Sequence, residues 1–138
     1  MTPQDQEYIH DPSRGSQGDC IRAVIASLLD LPIAQVPHFA QDERVEVFGF
    51  YTQLDEFLEK HGYEMAWNAT PAYHLKKGQA IYHCISGPSP RSEDVHHAVV
   101  GRNCHVFFDP HPSRAGLGGD PEQWRHSFLC RLVPEKSR

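Results

Sequence analysis

The chain has 138 residues, 39% of them hydrophobic and 22% charged, which suits one soluble globular domain with a real core and leaves too little for two. Its formal net charge is −5 and it holds no basic run, which argues against nucleic acid as a partner because phosphate binding needs clustered Lys and Arg. No apolar stretch approaches the roughly 20 residues needed to cross a bilayer, so no membrane partner is expected either.

Residues 1–18 read as an irregular N-terminal segment of the single domain 1–138, polar and broken by Pro12, Gly15 and Gly18. The stretch 1–7 is polar and acidic, unlike a signal peptide, which makes a reducing cytoplasm the expected compartment. There the four cysteines, Cys20, Cys84, Cys104 and Cys130, widely spread and without a CxxC, are expected as free thiols.

Asp19 is placed to cap a first helix that ends near Asp30. Ile21, Val24, Ile25, Leu28 and Leu29 recur at helical spacing and define its buried stripe. Pro32 and Pro37 bracket a tight segment expected to run under the core, and an acidic loop follows at Asp42-Glu43. A second amphipathic helix is expected over Val47 to Lys60, with Tyr51, Leu54, Phe57 and Leu58 as its stripe and His61-Gly62 as its stop.

From Tyr63 the pattern turns to strands: Tyr63 to Trp67, Gln79 to Ser86, His97 to Arg102, His105 to Phe108 and Ser127 to Val133. A hairpin turn is expected at Gly101 to Cys104, and Pro/Gly-rich loops at Gly87 to Arg91 and Asp109 to Pro121. Helices followed by a mostly antiparallel sheet make an α+β fold.

The chemistry-bearing residue is Cys20, delivered by a Gly18-Asp19 turn to the start of the first helix. A thiol attacks only as the thiolate, which the positive end of a helix and a neighbouring imidazolium both favour. Asp19 opposes this unless its carboxylate is occupied in capping.

His97 opens the apolar run Ala98-Val99-Val100 and is the candidate base. Its neighbour His96 points the other way if side chains alternate along a strand. Pairing of the strands that start at His97 and His105 brings Asp109 within reach of His97, where a carboxylate orients the ring. Donors for an oxyanion are expected from the Cys20 backbone N–H and from Gln17, or Ser16. The ten histidines raise the question of zinc, but His83-Cys84, His96-His97 and Cys104-His105 are adjacent pairs whose side chains diverge on a strand. Neither a metal nor another cofactor is expected.

Gly18-Asp19-Cys20 opening a helix, His97-Ala98-Val99-Val100 and the later Asp109-Pro110 resemble the papain-like cysteine peptidase superfamily. Within it the bacteriocin-leader-processing peptidases are similar. The Leu31 to Pro37 segment, the Gly87 to Arg91 loop and the tail from His97 through Leu117 resemble small phage and prophage papain-like proteins. The resemblance spans about residues 15–120.

It implies a papain-like fold, with a nucleophile helix packed on the sheet that carries base and acid. It assigns Cys20 as nucleophile, His97 as general base and acid, and Asp109 as orienter. Many papain-like enzymes place the oxyanion glutamine further ahead of the cysteine than Gln17, and Arg14 stands nearer that spacing.

The expected activity is that of a thiol hydrolase, a peptidase or isopeptidase working through an acyl-enzyme on a protein or peptide substrate, in the host cytoplasm if phage-encoded. Arg91, His111 and Arg114 are expected to meet an acidic or carboxylate-bearing substrate. The alternatives are an acyl or amide transferase on the same triad, or a non-catalytic binding module that keeps the fold.

Overall fold

A computed structural model describes residues 1–11, 13, 18–39 and 47–132. It shows an α+β fold: helix α1 (Cys20–Leu28), helix α2 (Val47–Lys60), and strands β1 (Tyr63–Ala66), β2 (Tyr82–Ser89), β3 (Ser92–Arg102), β4 (His105–Phe108) and β5 (Arg125–Arg131). The strands form one sheet in the order β1-β5-β2-β3-β4, with every neighbouring pair antiparallel. The last strand therefore inserts between the first two rather than joining an edge. No helix among the described residues is long and apolar enough to cross a membrane.

The two helices bury different parts of the molecule. From α1, Val24 packs with Cys84, Ala98 and Val100 of β2 and β3. Ile25 and Ala26, one step around the same helix, join Val36, Phe39, Leu54, Leu58 and Met65 in a second cluster with α2 and β1. Helix α1 thus contributes to both clusters, one against β2 and β3 and one shared with α2 and β1, as a stripe wider than a single ridge requires. Helix α2 stops where expected, with Gly62 in the left-handed region (φ +83°).

Three details differ from expectation, the first being that β3 starts at Ser92, so that His97 lies within the strand and does not open it. Gly87 to Arg91 is not a loop: β2 runs on through Ser89, and only Pro90 and Arg91 turn the chain into β3. Pro88 is tolerated there because its carbonyl, not an N–H, is called on, accepting from Gly118 N at 2.8 Å. Tyr51 belongs to no buried stripe; it is 43% exposed, and Leu54 and Leu58 carry the burial. The acidic pair Asp42-Glu43, and Val133 at the end of the last expected strand, lie outside the described residues.

Asp19 occupies the N-cap position, yet its side chain makes no capping bond. Its buried carboxylate accepts from the backbone N–H groups of Glu7 (3.1 Å) and Tyr8 (2.8 Å) and from Arg22 (3.2 Å). Arg22 in turn donates to the carbonyls of Val36 (2.6 Å) and Ile33 (3.0 Å), which ties down the Leu31 to Pro37 segment. At the far end of α1, Ser27 Oγ accepts from Gln4 N (2.9 Å). Residues 1–10 form no helix or strand and are strapped along α1 at both ends.

Candidate active site

Cys20 is the first residue of α1, half-buried beside Cys84 and Ile21. Its backbone N–H has no intrahelical acceptor, since the ladder starts with Ala23 N donating to Asp19 O (3.0 Å). That N–H is therefore free of the helix ladder and available to a ligand beside the thiol. The side-chain donors expected beside it, Gln17 and Ser16, and Arg14 as well, lie outside the described residues.

His97 sits on β3, only 5% exposed, while His96 is exposed. Its Nε2 lies 2.7 Å from Asp109 Oδ1. The Cys20 side chain lies close enough to the ring to help raise its pKa. Burial pushes the His97 pKa down, but the bonds to Asp109 and Cys20 outweigh it and hold it at about 9. The Asp109 carboxylate thus favours the cationic imidazole.

Asp109 is fixed by more than histidine. Oδ1 also accepts from His111 N (2.9 Å) and Oδ2 from Gly116 N (2.7 Å). Burial alone would raise its pKa; the His97 bond and the two backbone bonds together lower it. Hairpin geometry puts it there. Asn103 and Cys104 both have positive φ (+48° and +71°), the signature of a tight two-residue turn, and β4 pairs back along β3 as far as Val100↔Phe108. The carboxylate one residue further then faces His97.

Two hollows flank Cys20 and His96, which line both. One, about 450 Å³, is bordered by Gln6, His10, Ser89, Arg91, Asp94 and His111. The other, about 640 Å³, is bordered by Tyr51, Trp67, Asn68, Ser86, Gln123 and Arg125, and His97 lines it too. Tyr51 and Trp67 meet edge-on at 5.2 Å in the second hollow.

Of the residues expected to meet substrate, Arg91 and His111 come together in the first hollow, linked through Ser113 Oγ (2.9 Å to each). Burial and the Arg91 charge lower the His111 pKa, and its Nδ1 accepts from Ser113 N (3.0 Å).

Arg114 is used otherwise. It pairs with Asp5, donates to the Asp109 carbonyl (2.7 Å) and lies over the Phe108 ring, so it braces the loop rather than lining either hollow. The aromatic hollow was missed by sequence reasoning, because Tyr51 fitted a helical stripe and Trp67 a strand end. The one available signal was that two large aromatics recur beyond what α2 needs to bury.

Comparisons with protein-family models, with curated proteins and with solved structures give no significant match. The reading of the site therefore stands on its geometry.

Proposed function

We propose that this protein is a cysteine hydrolase of papain-like fold, acting as a peptidase or isopeptidase through an acyl-enzyme on Cys20. The observation that carries the reading is His97, buried on β3 with Nε2 2.7 Å from the buried Asp109 carboxylate and with the helix-start Cys20 thiol close enough to raise its pKa.

In this mechanism the Cys20 sulfur attacks the substrate carbonyl while the Cys20 backbone N–H meets the developing oxyanion. His97 Nδ1–H passes its proton to the leaving amine, which departs and leaves a thioester. The now neutral His97 takes a proton from water, the hydroxyl adds to the thioester, and the sulfur leaves as thiolate beside a recharged imidazolium. Asp109 stays ionised throughout and holds the ring.

An amide has chain on both sides of the scissile bond, and the cleft extends on both sides of the sulfur. The aromatic hollow suits an apolar side chain. The hollow holding Arg91 suits a carboxylate, which makes an acidic residue or chain end the expected feature on that side.

A mixture of peptidyl acyloxymethyl ketones, read by intact mass and peptide mapping, tests this. The expected result is one adduct on Cys20 that disappears in Cys20→Ala and forms at least about 100-fold more slowly in His97→Ala. Equal labelling of all exposed cysteines, or no labelling, contradicts it.

A further inference from the structure

A second cluster of chemistry-bearing groups lies on the other side of the sheet. His83 and Cys84 are neighbours on β2, so Cys84 faces α1 and Cys20's surroundings while His83 faces away. On that far face, one ligand atom each of His83, Cys104 and His126 lies within 4.8 Å of the other two. His83 Nε2 and His126 Nδ1 are 3.0 Å apart. Two nitrogens held about 2.05 Å from a tetrahedral zinc ion stand roughly 3.3 Å apart, so the rings need move only a few tenths of an ångström.

We propose that His83, His126 and Cys104 form a zinc site that ties together β2, β5 and the β3–β4 turn, with a fourth position open to water. This goes beyond the hydrolase reading and does not depend on it. Adjacent pairs such as His83-Cys84 and Cys104-His105 indeed diverge, as expected. The donors instead come from three separate strands or turns, which no local spacing reveals.

Several features of the chain fit this use. The His83 ring is fully buried and stacked on Phe128 at 4.3 Å, and its Nδ1 faces the Ile81 carbonyl at 3.5 Å, so Nε2 is the nitrogen turned to His126. A metal-binding histidine is commonly oriented in this way through its second nitrogen.

Gly101, opposite His83, leaves room for the ring, since a Cβ there would lie 3.1 Å from Nε2. Cys104 takes the second turn position at φ +71°, where glycine is the favoured residue. Asn103 pins that turn to the chain before β2, through bonds with Ile81 N (2.8 Å) and Ile81 O (2.9 Å), which holds the thiol near the two rings. Two imidazoles and a thiolate form a donor set that suits zinc and disfavours calcium or magnesium. Binding releases the Cys104 thiol proton to solvent and shifts the His126 proton from Nδ1 to Nε2, so both imidazoles stay neutral.

The test is metal binding by the full chain carrying Cys20→Ala, so that the Cys20 thiol cannot contribute. Titration with Zn²⁺, and with Co²⁺ as a spectroscopic probe, is expected to give one ion per chain, with a thiolate-to-cobalt charge-transfer band. Cys104→Gly removes the ligand and suits the turn better, so it stays folded. It is expected to lose the band and at least about 100-fold in affinity, more than outer-shell changes usually cost. His126→Ala is expected to lose binding likewise. Absence of one-to-one binding, or a Cys104→Gly chain that keeps the band or an affinity within about 2-fold, overturns the proposal.

Discussion

His97 Nε2 lies 2.7 Å from Asp109 Oδ1, and that carboxylate is itself held by the backbone N–H groups of His111 and Gly116. A charge fixed by three donors cannot follow the ring if it swings, so the ring is held to the carboxylate. The cost of that rigidity, two charged groups taken out of water, is offset only while all three bonds are made.

Asp109→Asn keeps an acceptor but removes the charge. The His97 pKa is then expected to fall from about 9 toward its ordinary 6.5, read from histidine ring C–H chemical shifts across a pH titration. A His97 titration unchanged by the substitution contradicts the pairing. Asp109→Ala additionally leaves two buried N–H groups without an acceptor and is expected to lower stability by about 2–4 kcal/mol.

The same pair gives stability a pH window. Folding raises the His97 pKa from 6.5 to about 9, so its contribution is complete below about pH 6.5 and lost as pH rises through 9. Folding lowers the Asp109 pKa from 3.8, so that contribution is present above 3.8 and lost as pH falls below it. Urea midpoints are expected to decline on both limbs, and His97→Ala to flatten the alkaline one. An alkaline limb identical in both proteins contradicts this.

Asp19→Ala is expected to cost about 2–4 kcal/mol, because it strands the Glu7 and Tyr8 N–H groups and takes from Arg22, which clamps Ile33 and Val36, the buried one of its two carboxylate partners. Limited proteolysis is expected to cut first within residues 2–10. A loss below about 0.5 kcal/mol would mean that the strap is not held by this carboxylate.

Gly87→Ala places a Cβ 2.7 Å from Trp124 Cδ1, and Trp124 is anchored by its Nε1 donating to Gly118 O (2.8 Å). The indole is expected to shift, with a change in tryptophan emission and a loss of about 1–3 kcal/mol in urea denaturation. An unchanged emission spectrum contradicts the close packing.

What the sequence made legible was local. The period of Val24, Ile25 and Leu28 marked α1, and that of Leu54 and Leu58 marked α2. Asn103 in a short gap between apolar runs marked the hairpin, and the hairpin brought Asp109 to His97. What stayed hidden depends on distant parts of the chain. Nothing in Arg125 to Arg131 shows that it inserts between β1 and β2, or that His126 then meets His83. Pro88 and Pro90 spoke for a loop because proline opposes strand pairing, yet Pro88's carbonyl found a partner in Gly118 thirty residues on. Asp19 fitted a cap by position, and only the N-terminal segment lying across it gave its carboxylate another use. Arg114 read as free for substrate because Asp5, its partner, is remote in sequence.

The central claim, that Cys20, His97 and Asp109 act as one unit, is tested most directly by the pH dependence of iodoacetamide alkylation at each cysteine, resolved by mass spectrometry in the wild type and in His97→Ala. The account predicts that Cys20 alone reacts rapidly near neutral pH, and that His97→Ala abolishes this. A Cys20 that reacts no faster than Cys130, or whose rate is indifferent to His97, contradicts it.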